Sequence, residues 1–370
     1  MNSLKFSEIY FTKDAENFPL SKKIFSAFKT ARKIPVESPK ELYFSPQNAP
    51  EKVSQSKKAL FLTVKKNNFI EKCPGTKEHL CCNYFVAKNI LGCPADCSYC
   101  YLQAYLNIRA ITVFVNTNDF LRDFEKAATG HTLRIGTGEF SDSLFLDNVI
   151  DVNKSLIEIC SRTDSLLELK TKSADVTKLL KLNHRGKTVM AWSLNPFSLA
   201  KTEEKGTSPP SERISAAAQC SANGYPVAFH FDPLIDFNGW EKAYEELIER
   251  LFAEISPKNI AWISLGALRY DPKIKPVIYS RFPDSKILCG EFVRGNDGKD
   301  RYLKYTRMKM FSKINGFLKK FDRNMKVYLC METPEVWKHS FGKLPSDIPR
   351  LNSVFTPVPR AHVEKNFRKW

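Results

Sequence analysis

The sequence lacks the long apolar stretches that membrane proteins require. No uninterrupted apolar run in its 370 residues approaches the ~20 residues that a helix needs to cross a bilayer. Residues 1–5 contain no apolar leader of the kind that directs secretion. We therefore expect a cytoplasmic protein with no membrane partner.

Acidic residues are too few to balance the basic ones. The chain has 40 Asp and Glu against 57 Lys and Arg, which gives a formal net charge of +17. This surplus favours a polyanionic partner, because each phosphate contact releases condensed counterions. Nucleic acid is the first candidate, although many basic proteins are merely soluble. Hydrophobic residues make up 43% of the chain, enough to fill the core of one large domain with terminal additions.

A second CxxC-like pair, which structural zinc sites generally use, is also missing. What is present is a single run in which Cys93, Cys97 and Cys100 offer three thiolates. A [4Fe–4S] cluster normally takes four cysteines, so three leave one iron open for another ligand. The run predicts such a cluster, with a zinc site or unligated thiols as alternatives. Disulfides do not suit a chain with the features of a reducing-compartment protein.

Short β-rich runs alternate with amphipathic helical stretches from Phe85 onward. Such βα units predict an α/β fold whose parallel sheet curls into a partial (β/α) TIM-type barrel. In these barrels the chemistry lies at the carboxyl ends of the strands, and the cysteine run directly follows an apolar run ending at Leu91. The predicted strands are 111–115, 133–136, 166–171, 188–194, 227–231 and 260–265. The predicted division is an N-terminal extension (1–84), the partial barrel (85–285), and a hairpin with a helical tail that contacts DNA (286–370).

A glycine-containing segment, residues 135–143, leaves one predicted strand and opens into a loop. Glycines let a backbone approach a cofactor, while Glu139, Ser141 and Asp142 offer acceptors for an ammonium group and ribose hydroxyls. A simple strand-ending turn would use the same residue types. Lys172, after the following strand, would supply ammonium donors, or it could simply be solvated.

Longer motifs in a fixed order indicate a family. The motif Cys100-Tyr101-Leu102-Gln103 is followed by matching blocks at 171–172, 192–195, 224–233 and 239–241, and Cys73-Pro74-Gly75-Thr76 precedes it. From about residue 40 to residue 335 the chain resembles spore photoproduct lyase and its wider family of radical S-adenosylmethionine enzymes. The resemblance implies repair of UV-damaged DNA. It also implies the chemistry, in which S-adenosylmethionine is cleaved reductively to a 5′-deoxyadenosyl radical that splits a methylene-bridged thymine dimer.

The resemblance also implies cofactors and site residues. It implies a [4Fe–4S] cluster held by the three cysteines, S-adenosylmethionine, and an electron donor such as flavodoxin or ferredoxin. Tyr99 and Tyr101 match two tyrosines that relay a hydrogen atom, a task that suits a phenol because it leaves a delocalised radical. The predicted contacts to S-adenosylmethionine are Glu139, Ser141, Asp142, Lys172, Ser193 and Asn195.

One cysteine expected from the resemblance is missing. The family places a hydrogen-donating cysteine near the start of its Thr-Ser-Asp segment, and the matching position here is Glu139. The O–H bond of a carboxylic acid is far too strong to donate a hydrogen atom, so either another cysteine donates or the reaction differs. Cys73, Cys81 and Cys82 could return to the site, and Cys73 is the preferred donor. The alternative is that they are small buried hydrophobes.

The region before the carboxyl end predicts a basic β-hairpin. Asn296-Asp297-Gly298 is a strong turn signal, so residues 287–305 are expected to project as a hairpin. In the family a basic hairpin in this region wedges into the duplex, because a dimer must leave the stack to reach a buried site. A solvated charged face is the alternative. The predicted DNA contacts are Arg294, Lys299, Arg301, Tyr302 and Lys304.

Three functions remain open on the sequence. A spore-photoproduct-lyase-like repair enzyme is the leading hypothesis. The missing cysteine also allows a radical S-adenosylmethionine enzyme of the same family that acts on another nucleic acid or a small molecule. The third hypothesis is a DNA-binding iron–sulfur protein without turnover.

Overall fold

The computed structural model describes residues 4–76, 78–348 and 351. The strands are β1 (Glu8–Thr12), β2 (Arg32–Val36), β3 (Ala59–Thr63), β4 (Ile70–Lys72), β5 (Phe85–Ala87), β6 (Ile90–Leu91), β7 (Asp96–Cys97), β8 (Ile111–Phe114), β9 (Arg134–Gly136), β10 (Leu166–Thr171), β11 (Thr188–Ser193), β12 (Glu204–Lys205), β13 (Val227–Leu234), β14 (Ile260–Ala267), β15 (Arg269–Tyr270), β16 (Phe292–Arg294), β17 (Asp300–Tyr302) and β18 (Val327–Leu329). The α-helices are α1 (Pro19–Ala27), α2 (Pro50–Ser56), α3 (Leu102–Tyr105), α4 (Thr117–Gly130), α5 (Asp147–Ile150), α6 (Asn153–Ser161), α7 (Phe197–Glu203), α8 (Pro210–Ala222), α9 (Trp240–Glu254), α10 (Ile274–Arg281), α11 (Lys304–Phe321) and α12 (Pro334–Phe341).

The larger sheet has eight strands in the order β18-β14-β13-β11-β10-β9-β5-β4. Its neighbours pair in parallel, except for the antiparallel edge pair β4 and β5. The central strands are nearly continuous apolar runs that are buried along most of their length, as expected for strands covered on both faces. The predicted α/β partial barrel is confirmed.

Five of the six predicted strands lie in this sheet as β9, β10, β11, β13 and β14. The placement of 111–115 in the barrel is wrong. These residues form β8, which pairs with β3 and β6 in a separate five-stranded sheet of order β2-β1-β3-β8-β6. An apolar run identifies a buried strand, but its choice of partner depends on distant parts of the chain.

Strand pairing crosses both boundaries of the predicted three-part division. From the first segment, β4 joins the larger sheet, and from the third segment, β18 joins its opposite edge. From the middle segment, β6 and β8 join the N-terminal sheet. Part of the predicted C-terminal tail, 349–350 and 352–370, lies outside the described residues. None of the helices in the described part of the chain is long and apolar enough to span a bilayer.

The predicted hairpin is confirmed as β16 and β17, which pair antiparallel over residues 292–302. Gly298 in its turn has a φ of +75°, a left-handed conformation that glycine adopts without strain. The hairpin does not project freely, because β15 also pairs with β17 and ties it to the end of β14. Helix α11 begins at Lys304, so the hairpin ends earlier than predicted.

Candidate active site

The three predicted cluster ligands lie on one loop between β6 and α3. Cys97 is buried, whereas Cys93 and Cys100 are half-buried. A turn brings the main-chain N of Cys100 to 3.1 Å from the carbonyl O of Cys97. Strand β7 pairs antiparallel with β12, which places Cys97 opposite Glu204. The backbone that carries the three thiols, hereafter the cysteine loop, is therefore held by its pairing with β12.

Side chains from other elements also hold this loop in place. Arg281 on α10 donates to both carboxylate oxygens of Asp96, at 2.7 and 2.8 Å. The main-chain N of Ser98 donates to the carbonyl O of Glu203 at 2.9 Å, and its hydroxyl donates to the Glu203 carboxylate. Lys57 donates to the carbonyl O of Cys93 at 2.9 Å. These contacts fix the loop before any cofactor binds.

The chemistry of the thiols fits a cluster. Burial raises the pKa of Cys93 well above its usual range and raises the pKa of Cys97 to about 12. A bound metal must therefore displace thiol protons. In the part of the chain that the structure describes, no three His, Cys, Asp or Glu side chains converge as a single metal ion requires. A [4Fe–4S] cluster binds each cysteine through a different iron, so its ligands need not converge on one point.

Glu204, on β12, is a buried residue at the centre of the site that the sequence analysis did not identify. Tyr99 donates its phenolic O–H to the Glu204 carboxylate. Asn195 donates to Glu204 Oε1 at 2.9 Å and to the Tyr99 oxygen at 3.1 Å. Lys172 Nζ lies 3.1 Å from Oε1, and Arg213 lies 2.6 Å from Oε2. Three predicted site residues, Tyr99, Lys172 and Asn195, therefore meet at one carboxylate.

The charge of Glu204 is maintained by its two cationic neighbours. Burial alone would raise the pKa of this carboxyl, but Lys172 and Arg213 outweigh burial and hold it at about 2. Burial and the Glu204 charge raise the pKa of Tyr99 well above its usual range. Tyr99 is therefore a neutral phenol whose O–H points at a permanent negative charge.

Tyr101 lies in a more open position than Tyr99. It is 39% exposed, and its hydroxyl donates to the main-chain O of Glu139 at 2.7 Å. The Glu139 carboxylate accepts a hydrogen bond from Lys170 Nζ at 3.1 Å. Burial would lower the pKa of Lys170, but Glu139 and Glu168 more than offset this and raise it, so Lys170 stays charged. The structure therefore places Glu139 and Tyr101 together beside the cysteine loop.

Ser141 and Asp142 have internal partners. Ser141 donates to the carbonyl O of Thr137 at 3.1 Å. The half-buried Asp142 carboxylate accepts four hydrogen bonds, which tie its loop to the end of β10, although burial still raises its pKa. Its donors are the main-chain N of Leu144, Phe145 and Lys172 at 2.9, 3.2 and 2.8 Å and the Thr171 hydroxyl at 2.7 Å. Both side chains thus hold the loop in shape. Ser193, another predicted contact, is half-buried at the end of β11.

A buried cluster of three charged or titratable side chains links strands β9, β10 and β13 inside the barrel. Glu168 on β10 lies 2.8 Å from Arg134 on β9 and 2.6 Å from His230 Nε2 on β13. Burial would raise the pKa of Glu168, but Arg134 and His230 lower it far below its usual range. Burial lowers the pKa of His230. This group couples the positions of the strands whose ends carry the site.

Cys73, the predicted hydrogen donor, lies close to the cysteine loop in the structure. It packs against a small apolar cluster of Tyr84, Val86, Leu102 and Phe140, and Cys100 packs against the same cluster. Burial, then the Glu139 carboxylate, raise the pKa of the Cys73 thiol far above its usual range. The side chain is therefore a neutral S–H group, which is the form that can donate a hydrogen atom.

The hairpin residues divide into exposed and buried sets. Arg294 has an exposed side chain and pairs with Asp300 at 2.6 Å. Lys299 and Lys304 are partly exposed and pair with Asp297 at 3.8 Å and Glu335 at 2.6 Å, respectively. All three side chains are therefore at least partly exposed and paired only with carboxylates, and their contact with DNA stays a prediction.

Arg301 and Tyr302 are buried, which leaves them out of a DNA-contacting surface. Arg301 pairs with Asp297 at 2.5 Å inside the hairpin turn. The Tyr302 ring stacks on Phe292 with 4.6 Å between ring centroids, and its oxygen accepts from the main-chain N of Asp236 at 3.1 Å. The expectation that these two side chains contact DNA is therefore corrected, because Arg301 holds the turn together from inside and Tyr302 ties the hairpin to the barrel.

Comparison with known proteins agrees with this architecture. The chain is 29% identical to spore photoproduct lyase of Bacillus subtilis (strain 168) over 250 residues, which are 64% of this chain and 73% of that protein. It is 30% identical to spore photoproduct lyase of Geobacillus sp. (strain Y412MC61) over 210 residues, or 55% and 62% of the two chains. A solved spore photoproduct lyase complexed with dinucleoside spore photoproduct shares the fold, with a TM-score of 0.77 at 23% identity over 89% of this chain and all of that one.

A model of the family described as spore photoproduct lyase matches residues 5–335. This match extends over the N-terminal sheet, the barrel, the cysteine loop and the hairpin. The protein therefore belongs to the spore photoproduct lyase family.

Proposed function

We propose that this protein is a DNA repair lyase that splits methylene-bridged thymine dimers in UV-damaged DNA. One observation carries the proposal: the three-cysteine loop contains Tyr99 and is followed by Tyr101, and both tyrosine hydroxyls donate hydrogen bonds to residues beside the loop. A solved spore photoproduct lyase variant holds AdoMet and dinucleoside spore photoproduct, which supports the same ligands here.

The cofactors would occupy the carboxyl edge of the barrel. Cys93, Cys97 and Cys100 would hold a [4Fe–4S] cluster, which together with S-adenosylmethionine supplies the 5′-deoxyadenosyl radical. The half-buried Glu139 carboxylate would accept from the ammonium group of S-adenosylmethionine, while Lys172 would donate to its carboxylate or hydroxyls. Ser193, at the end of the adjacent strand, would contact the same ligand, and Asn195, just after it, would contribute through its hydrogen bonds to Tyr99 and Glu204. Ser141 and Asp142 would support this site by holding the loop that carries Glu139.

The two tyrosines would differ in role because their hydroxyls differ in partner. Tyr101 donates to a neutral carbonyl oxygen and is partly open to substrate. Tyr99 donates to a carboxylate that two cations keep ionised, so its O–H is held more firmly. We propose that Tyr101 exchanges a hydrogen atom with Cys73 or substrate, and that Tyr99 is the inner member of the relay.

The partners follow from charge and chemistry. Damaged DNA would meet the exposed basic side chains of Arg294, Lys299 and Lys304, and the dimer would leave the stack to enter the site. A flavodoxin or ferredoxin would supply the electron, and the protein would act in the cytoplasm. The charge of +17 on the whole chain supports binding to a polyanion.

An anaerobic assay tests the proposed function directly. Reconstituted protein is mixed with dithionite, S-adenosylmethionine and a dinucleotide spore photoproduct, and 5′-deoxyadenosine and thymidylyl-thymidine are followed together. Both products are expected. Formation of 5′-deoxyadenosine alone would instead support a radical enzyme with another substrate, which Glu139 at the family's cysteine position already favours as the second candidate. Formation of neither would leave a DNA-binding iron–sulfur protein without turnover.

Cys73→Ala is expected to retain formation of 5′-deoxyadenosine but to replace clean repair with trapped radical by-products. The physical reason is that alanine has no weak S–H bond with which to quench the product radical. Chromatography of the dinucleotide products measures the effect, and Cys82→Ala is the matched control, since Cys82 packs against the same apolar cluster. An unchanged product distribution in Cys73→Ala would remove Cys73 from the role.

A further inference from the structure

An exposed aromatic pair adjoins the cysteine loop. Tyr101 and Tyr105 lie one helical turn apart, and the main-chain N of Tyr105 donates to the Tyr101 carbonyl at 3.2 Å. Their ring centroids are 6.1 Å apart, with an angle of 68° between the planes. Tyr105 is 57% exposed, so much of its ring faces solvent beside Tyr101. The mechanism described above uses Tyr101 and gives Tyr105 no role.

The Tyr105 ring is supported from below. It stacks on Phe140 with 5.2 Å between centroids and 29° between planes. Phe140 is only 2% exposed, and its carbonyl accepts a hydrogen bond from the main-chain N of Gly92 at 2.8 Å. Gly92 and Phe140 immediately adjoin Cys93 and Glu139, respectively. The exposed ring is thus backed by a buried ring that is joined to both sides of the active site.

A positive charge lies beside this aromatic stack. Lys88 Nζ is 4.6 Å from the centroid of the Phe140 ring and 2.5 Å from the Glu71 carboxylate. This ion pair supports the buried backing ring from another side. An exposed ring on such a firm support, next to Tyr101 in a basic protein, has the features of a stacking platform for single-stranded nucleic acid.

We propose that Tyr105 stacks with the nucleobase that flanks the extruded thymine dimer. This rests on the proposed function, because a dimer that leaves the duplex deprives the neighbouring base of one stacking partner. The tyrosine ring replaces that partner, and its existing contact with Phe140 reduces the ordering that binding requires. Stacking tolerates any base, as a lesion-specific enzyme needs for the bases around its target.

The test compares two substrates with two variants. Dissociation constants are measured for a dinucleotide spore photoproduct, which has no flanking base, and for an oligonucleotide containing the same lesion. In Tyr105→Leu the preference for the oligonucleotide over the dinucleotide is expected to fall about five-fold to a hundred-fold. Tyr105→Phe keeps the ring and should keep the preference. Phe321→Leu is the control and should keep the preference, since Phe321 is 40% exposed but lies at the end of α11, where its ring stacks on Phe252 of α9.

A fluorescent base identifies the contact itself. A 2-aminopurine next to the lesion is quenched by stacking in the free duplex; it should stay quenched on binding to the parent protein and to Tyr105→Phe, and should brighten on binding to Tyr105→Leu, where nothing replaces the lost stacking partner. An unchanged preference in Tyr105→Leu would overturn the proposal, and so would an equal loss of affinity for both substrates. These are binding measurements, so they test the platform even if the parent protein forms no thymidylyl-thymidine, a result that would count against the proposed function alone.

Discussion

Cys97→Ala is expected to lose the iron–sulfur cluster and the cleavage of S-adenosylmethionine together. Cys97 is the buried member of the three thiols, and its backbone pairs with β12 beside Glu204. Alanine leaves two protein ligands for a cluster that already lacks a fourth cysteine. Iron and sulfide content, visible absorption and 5′-deoxyadenosine formation measure the result. We expect all of them to fall to background in the variant.

A matched control separates the loss of a ligand from the loss of a buried thiol. Cys220 is fully buried on α8, away from the cysteine loop, and burial raises the pKa of its thiol to about 12, as for Cys97. Cys220→Ala should therefore retain iron and cofactor cleavage. Retention of a full cluster by Cys97→Ala would contradict the assignment of Cys97 as a ligand. Zinc without broad visible absorption in the parent protein would contradict the cluster itself.

The positions of the barrel strands along the chain were predictable, because their residues form apolar runs separated by helical stretches. Leu166–Thr171 and Thr188–Ser193 are buried from both faces, and such strands can be recognised without knowledge of their neighbours. Ile111–Phe114 has the same character but joins the N-terminal sheet. Its partner, β3, lies about 50 residues earlier in the chain. The local sequence around either strand therefore does not predict that β8 pairs with β3.

The candidate site was predictable where a motif fixes the residues and not where tertiary contacts do. The cysteine spacing identified its loop, but Glu204 lies in the charged run 201–205, a pattern typical of a solvated face. Only the pairing of β12 with β7 brings Glu204 into the interior. In the hairpin the error has the opposite direction, because Arg301 was expected on the surface and lies inside. The turn itself was predicted, but the inward orientation of Arg301 depends on its pairing with Asp297 and on the pairing of β17 with β15.

Glu204→Gln is expected to destabilise the protein by about 3 to 5 kcal/mol, the usual effect of removing one partner from a buried ion pair. Arg213 has no exposed side-chain surface and Lys172 has little, so both cations would be left without their charge partner. Glutamine can still accept from Tyr99 and Asn195, so the loss measures the charge more than the hydrogen bonds. Denaturant unfolding at neutral pH gives the free-energy change. Glu246→Gln, which removes an exposed helical pair with Lys242, should cost only about 0 to 1 kcal/mol.

The pH dependence of the same variant distinguishes lost charge from altered packing. The pKa of Glu204 is about 2 in the folded protein and about 4.5 when unperturbed. A lowered pKa stabilises the fold above the unfolded value, and this stability is lost as the pH falls from about 4.5 towards about 2. Glu204→Gln should therefore differ most from the parent above pH 4.5, and the difference should shrink in acid. A difference that stays constant down to pH 2 would show that packing, not the buried charge, accounts for the loss. If the difference shrinks as expected, a lower yield of repaired dimer per 5′-deoxyadenosine in this variant at neutral pH would connect the charge to the position of Tyr99.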